Sequence, residues 1–354
     1  MLISQSQLTE FATCIFESVG ATRDRALIVA EHLVEANLKG HDSHGVGMIP
    51  NYIYGVKNGH LLVNQDAELI EDKGAVLLVD GLQGFGQVVG RQATKMGIER
   101  ARENGMVCVG SRNNYHLGRI GTYGELCAKA GLISIHFVNV VGHPPFVSPW
   151  GGREKRMQTN PFCCAIPTAG EPIVLDMATS AIALGKVRVA SMKGVELPDG
   201  ALIDARGYAT NDPKALDEGG SLAPFGLHKG YGLALICELL GGGLAGEWTM
   251  QDVSKQQDKT INHMLMFIID PDLFGGVDGF KREVEGMAQW LRTSEPAEGN
   301  DKVRLPGDPE RESLSDRTEH GIPLDDQSWE AICKAAQLAG VSNDVIEAIA
   351  SSPL

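Results

Sequence analysis

Apolar residues near the start of the chain recur at helical spacing. Leu8, Phe11, Ala12, Ile15, Phe16 and Val19 form one stripe, and Val29, Leu33 and Ala36 form a second. Ser4 and Gln7 make a capping box for the first helix, Gly20 ends it, and Thr22 caps a second helix that stops near Gly40. From about residue 75 the pattern shifts to short β-rich runs alternating with helical ones. Strands are predicted at 75–79, 106–109, 132–140, 162–166, 173–175 and 264–269, and helices at 88–102, 122–130, 181–192 and 229–244. Because the strands are apolar on both faces, helices should cover the sheet on each side. After residue 276 a helical stripe returns in Val284, Met287, Ala288 and Leu291, followed by a charged, proline-bearing loop over 293–323 and a helix over 329–339. The pattern predicts an α/β domain over 75–276 and a discontinuous helical domain formed by 1–74 with 277–354.

The length, 354 residues, suits two or more packed units. A formal net charge of -14 opposes general binding to nucleic-acid backbones or anionic lipid. A small anionic substrate would need a local positive pocket, and the densest basic cluster is Arg153, Lys155 and Arg156. The first residues lack the pattern of a secretory signal and no apolar run is long enough for a bilayer, so a cytoplasmic protein is expected. Seven cysteines without C-x-x-C spacing read as free thiols, and Cys163 and Cys164, adjacent on a strand, would point to opposite faces. Glycine, at 43 residues, exceeds the average usage of about 7% and signals close backbone approaches around a ligand or between helices.

Two polar segments carry candidate chemistry: His41-Asp42-Ser43-His44-Gly45 and Asn113-Asn114-Tyr115-His116-Leu117-Gly118. Histidine, with an ordinary pKa of about 6.5, gives or takes a proton near neutrality. Asp42, Ser43, Asn113 and Asn114 can each hydrogen-bond an imidazole; the plainer alternative is a capped helix end beside a polar loop. His41 and His44 have H-x-x-H spacing, but without H-E-x-x-H no metal site is expected. Ser43 lacks the G-x-S-x-G setting of a nucleophile. The glycines at 81, 84 and 86 are not in G-x-G-x-x-G order and no P-loop occurs, while Gly241, Gly242 and Gly243 follow a helix and suit close packing. Asp176-Met177-Ala178-Thr179-Ser180 follows a strand and is expected to open a helix, where free N–H groups could hold an anion or simply be capped. Lys186, Arg188 and Lys229 are further candidate partners for an anionic group.

These strings, with Thr159-Asn160-Pro161-Phe162, His228-Lys229-Gly230-Tyr231-Gly232 and Leu305-Pro306-Gly307, together resemble the type-2 malate/L-lactate dehydrogenase family along nearly the whole chain. The resemblance implies a homodimeric NAD(P)-dependent oxidoreductase acting on a small 2-oxo or 2-hydroxy acid, with NADH expected ahead of NADPH. It implies a three-layer, non-Rossmann α/β cofactor domain with a mixed sheet, joined to the helical domain. By the same resemblance His44 and His116 are the catalytic imidazoles, with Ser43 beside them. His116, Leu117, Gly118, Arg119, Ile120, Asp176, Met177, Ala178, Lys229, Pro306 and Gly307 would meet the cofactor, and Tyr52, Thr159 and Arg153 the substrate. Many members carry arginine four residues after the first catalytic histidine; here that residue is Met48. Arg119, Arg153 and Arg156 are the candidates to replace it, and a bulkier, even aromatic, 2-oxo acid is expected. The alternatives are a cyclic imino-acid reductase, against which Lys186 weighs, and a non-catalytic nucleotide-binding protein.

Overall fold

Seven strands form the central sheet of this computed structural model, which describes residues 1–351 apart from residue 256. They are β1 (Glu68–Asp72), β2 (Val76–Asp80), β3 (Met106–Tyr115), β4 (Ile133–Val141), β5 (Phe162–Ile166), β6 (Ile173–Met177) and β7 (Ile261–Ile269). Their order across the sheet is β1-β2-β3-β7-β4-β5-β6. Only β2 and β3 run parallel; the other neighbours are antiparallel. The sheet is thus mixed, with helices packed against it.

Successive strand residues face opposite ways, and β3 shows what covers each side. Val109 lies under Gly97 of α4 (Gly86–Asn104), whereas Gly110 faces Ala245 on the π-helical continuation, Glu238–Gly246, of α7 (His228–Cys237). Helix α5 (Gly121–Lys129) packs beside α4. Gly241 and Gly242 sit where any side chain would strike the backbone of β4 and Trp248, which is the close packing expected of them.

Helices α1 (Gln5–Ser18), with its Ser4–Gln7 capping box, and α2 (Arg23–Leu38) bury their stripes in a second core. Leu8, Phe11, Val29 and Leu33 meet Ile49 and Tyr52 of α3 (Ile49–Lys57) there. Ile332 and Ala336 of α10 (Asp326–Ala339) close the same cluster, bringing the two ends of the chain together. A third core, which the apolar pattern did not separate, joins Val187 and Ala190 of α6 (Leu184–Lys193) to Leu202 and Leu222 of a small three-stranded sheet.

Two expectations fail. Segment 293–323 is not simply a loop, since α9 (Asp308–His320) runs through it. It has no buried residue and so no apolar stripe, but Asp308 and Glu310 in its first turn and Arg317 and His320 in its last complement the helix dipole. Asp176 and Met177 do not open a helix; they finish β6, and the next helix starts at Leu184. Helix α8 (Val277–Arg292) keeps its predicted amphipathic form yet buries none of its residues.

Candidate active site

The second histidine segment leaves the sheet where β3 meets an irregularity in β7. The pairing shifts between Asn262 and Met264, and Asn113 adopts φ 52° while its N–H donates to His263 Nδ1 at 3.1 Å. Asn262 Oδ1 then accepts the Leu117 N–H at 2.8 Å, fixing the exit of the strand beside His116. Gly86, at the start of α4, lies so close that a Cβ would collide with the carbonyl oxygens of Tyr115 and His116. From the other side, His32 Nε2 on α2 accepts the Arg119 N–H at 3.0 Å. The His116 loop is therefore gripped by both cores.

The first segment folds into a short 3-10 turn, Asp42–His44, after α2. Asn37 Oδ1 accepts the Val46 N–H at 2.8 Å, and the Asp42 carboxylate binds Arg317 at 2.6 Å and Asn37 Nδ2 at 2.7 Å. These anchors bring His44 over His116 with the rings 15° from parallel and His44 Nδ1 3.3 Å from His116 Nε2. Behind them Tyr52 Oη stands 2.8 Å from His116 Nδ1, and the Gln87 amide 2.5 Å from Tyr52 Oη. His44 is half-buried, and its neighbour Ser43 meets Gly185 at the start of α6.

Burial makes these rings poor cations. It pulls His44 down to about 4, although the Asp176 carboxylate pulls the other way. Burial, with His44 and His32 nearby, holds His116 well below the ordinary histidine value, so His116 is neutral at physiological pH. Burial likewise raises Tyr52 far above the usual phenol range.

Several expected partners are used elsewhere. The Asn113 side chain binds Asp80 through Nδ2 at 2.9 Å, and the Asn114 side chain binds Ser111 and the Asn262 carbonyl, so neither side chain holds a catalytic imidazole. Leu117 and Ile120 lie in the core under the sheet, not on an open cofactor surface. Arg119 turns inward, 1% exposed, to Glu125 at 2.9 Å and Asp176 at 3.6 Å, and therefore cannot grip a substrate carboxylate. Tyr52 is completely enclosed behind His116 rather than in the substrate space. Arg153 is exposed, with its Cβ against Gly207 in the loop of the small sheet. His41 pairs with Glu310 at 3.1 Å while His44 pairs with His116, so the H-x-x-H spacing does not converge on one point. Among the described residues there is no cluster of metal-binding side chains.

Other expected residues do gather along one edge of the sheet. Asp176 Oδ2 accepts the Gly121 N–H at 2.7 Å, and the Pro306 carbonyl accepts the Val174 N–H at 3.1 Å, which lays Pro306 and Gly307 along β6. Met177 and Ala178 follow, half-buried, and the Thr159 carbonyl accepts the Thr179 N–H at 2.8 Å. Thr122 Oγ1, beside Asp176 at the start of α5, is buried without a protein partner. An unserved hydroxyl next to this edge fits a polar ligand such as a dinucleotide. Lys229 is exposed at the start of α7. Gln87, His32 and Asn262 were not singled out in the sequence; only the closeness of Gln87 to the glycines at 84 and 86 pointed toward it.

A family model described as malate/L-lactate dehydrogenase matches residues 3–333. Hydroxycarboxylate dehydrogenase B from Escherichia coli (strain K12) is 44% identical over 346 residues, covering 96% of this chain and 95% of that protein. The solved sulfolactate dehydrogenase from Methanocaldococcus jannaschii has a TM-score of 0.88 at 32% identity, covering 98% of this chain and 99% of its own. The delta1-piperideine-2-carboxylate reductase from Pseudomonas syringae pvar. tomato has a TM-score of 0.80 at 31% identity, covering 95% of this chain and 99% of its own.

Proposed function

The chain belongs to the malate/L-lactate dehydrogenase family, and from that premise we propose an NAD(P)-dependent 2-hydroxycarboxylate dehydrogenase in which His44 exchanges the proton and His116 supports it. The observation that carries this reading is the His44–His116 contact at 3.3 Å, with one ring half-buried and the other sealed behind it. When bound, the nicotinamide supplies or takes the hydride at the substrate's C2. In reduction, protonated His44 gives its proton to the oxygen as negative charge develops there; in oxidation, the neutral ring takes the alcohol proton. In this reading residues 75–276 form the non-Rossmann cofactor domain. Asp176, Met177, Ala178, Lys229, Pro306 and Gly307 hold the cofactor, and Ser43 and Thr159 lie toward the substrate.

Met48 stands where an arginine clamp would serve small dicarboxylates, so the substrate is a 2-oxo acid with a larger apolar side chain. NADH and NADPH absorbance should be followed with oxaloacetate, pyruvate, phenylpyruvate and a cyclic imino acid, using wild type, His44→Ala and His116→Ala. The expected result is NADH-linked turnover of phenylpyruvate that collapses in His44→Ala. Preference for oxaloacetate, or full activity in His44→Ala, would reject the corresponding part. Dominant imino-acid reduction would favour the chemistry named for the Pseudomonas neighbour.

The reading also takes the protein as a cytoplasmic homodimer. Met287 and Trp290 on α8 are exposed, Trp290 at 67%, and a second copy covering them accounts for an amphipathic helix that buries nothing in its own chain. Sedimentation of wild type and Trp290→Glu tests this: a dimer that becomes monomeric is expected, and an unchanged assembly state would rule this face out.

A further inference from the structure

Asp42, a candidate imidazole partner in the sequence, instead holds Arg317 on α9. The contact is a fork: Asp42 Oδ1 accepts from Arg317 Nη1 at 2.6 Å and Oδ2 from Nη2 at 3.1 Å. Nη1 also donates to the Asn37 carbonyl at 2.5 Å, in the last turn of α2, whose carbonyls have no further turn to bond. The Ser313 hydroxyl donates to the neighbouring Leu38 carbonyl at 2.8 Å, and Glu310 Oε1 lies 3.1 Å from His41 Nε2. Positions 310, 313 and 317 share one helix face. Leu314, on the same face, is the apolar side chain of α9 that packs, partly buried, against the helical core. The stripe that seats α9 is therefore mostly polar.

The turn needs such a hold. From Gly40 to His44 no residue is buried, so apolar contact does not fix it. Its internal bonds, His44 N–H to the His41 carbonyl at 2.9 Å and Gly45 N–H to the Asp42 carbonyl at 3.1 Å, set its shape but not its place. Place comes from Asn37 and from α9. The other end of α9 is tied to the edge strand β6, where the Pro306 carbonyl accepts the Val174 N–H and Arg311 Nη1 donates to the Pro172 carbonyl at 3.0 Å. The helix thus runs from the strand that ends in Asp176 and Met177 to the turn that carries His44. A lone exposed ion pair contributes little. This one is bidentate, its guanidinium is 18% exposed, and a third bond to Asn37 fixes its direction.

We propose that α9 is a strut that sets His44 against the cofactor edge, with Arg317 and Glu310 as its positioning residues. The proposal rests on His44 being the acid/base group. Arg317 acts through Asp42 and Glu310 through His41, both within one turn of His44 in the chain. A misplacement of about 1 Å at a reacting group costs roughly a hundredfold, so a loosened turn is read in turnover before it is read in binding.

The test is amide hydrogen exchange over residues 41–46 of the full-length protein, with NADH-linked reduction of phenylpyruvate in light and heavy water. In Arg317→Met, exchange over 41–46 should quicken and kcat should fall roughly tenfold to a hundredfold. The solvent isotope effect on kcat should rise, with KM and the NADH dissociation constant little changed. A variant that only lost folded molecules would lower the rate and leave the isotope effect as it was. Arg317→Lys, which keeps a donor for Asp42 without the fork, should recover part of the rate, and it replaces the methionine variant if that one does not fold. Asp42→Asn should behave like Arg317→Met, and the double variant should be little worse than either alone, since both remove one contact. Glu310→Gln should give a smaller loss. Wild-type kcat in Arg317→Met, or a lowered kcat with the wild-type isotope effect, would overturn the proposal. Full turnover in His44→Asn would instead remove the acid/base reading beneath it, and the exchange data would still report whether α9 holds the turn.

Discussion

Arg119 Nη1 lies 2.9 Å from Glu125 Oε1 inside the protein, and the other oxygen of that carboxylate takes Lys39 Nζ at 2.5 Å. Burial alone would raise the Glu125 pKa, but Arg119 and Lys39 outweigh it and hold the carboxyl below its ordinary value. Its folded-state pKa being depressed, Glu125 contributes stability above its unfolded pKa and loses it as pH falls. Removing one member of such a buried set strands the others, typically at about 3–5 kcal/mol. Glu125→Gln should therefore lower the denaturation midpoint sharply while leaving the KM for 2-oxo acid nearly unchanged below that temperature. A large KM increase with unaltered stability would show that this network serves the substrate.

Acid should destabilise the fold through a second route. Burial lowers His32 and His263 to about 3 and His136 to about 4. The unfolded chain binds protons on these rings near pH 6.5, and the folded chain does not until the pH is far lower. Stability is thus complete above about 6.5 and falls as pH drops, by about 1.4 kcal/mol per histidine for each unit inside that window. Thermal melts at pH 8 and pH 5 should differ markedly, and replacing His136 with glutamine should reduce the difference. Equal midpoints at both pH values would contradict it.

The same sign reasoning applies to catalysis at His44, held at about 4 in the free protein chiefly by burial. Oxidation needs the neutral ring, so its kcat/KM should be flat above about pH 5 and fall on the acid side. Reduction needs the protonated ring, so its kcat/KM should decline about tenfold per unit as pH rises above that pKa. Initial rates across pH in both directions check this; a reduction rate that climbs with pH would exclude His44 as the proton donor.

Periodicity exposed what depends on one face of one element. The α1 and α2 stripes, the doubly covered sheet and the histidine segments beside helix or strand ends were all legible, because burial writes itself at spacings of two or 3.6 residues. Helix α9 escaped because it buries no residue, and only its end charges mark it. The site was half legible for a related reason. His44 and His116 stand 72 residues apart, and nothing local says that α3 and α4 will enclose Tyr52 and Gln87 between them. Arg119 misled in the opposite way: its charge suggested an anion site, while Glu125 one turn into α5 already consumes it. Fold-level partners decide the role of a charged side chain, and those partners come from distant segments.

Met48 offers the sharpest test of specificity. It follows the His44 turn, is half-buried against the helical core, and places its sulfur 3.9 Å from Asn51 Nδ2. A thioether there supplies apolar contact and no charge. With Arg119 committed to Glu125 and Asp176, the substrate carboxylate finds no clamp from either residue. Met48→Arg would add a charge-assisted pair to a second carboxylate, and such bonds contribute about 1.5–3 kcal/mol. On the proposed reading the variant should therefore gain roughly tenfold to a hundredfold in kcat/KM for oxaloacetate while losing activity with phenylpyruvate, whose ring would meet a cation in place of a thioether. Parallel turnover measurements on the two acids decide the matter. If Met48→Arg leaves their ratio untouched, residue 48 does not face the substrate, and selectivity must arise elsewhere in the cleft.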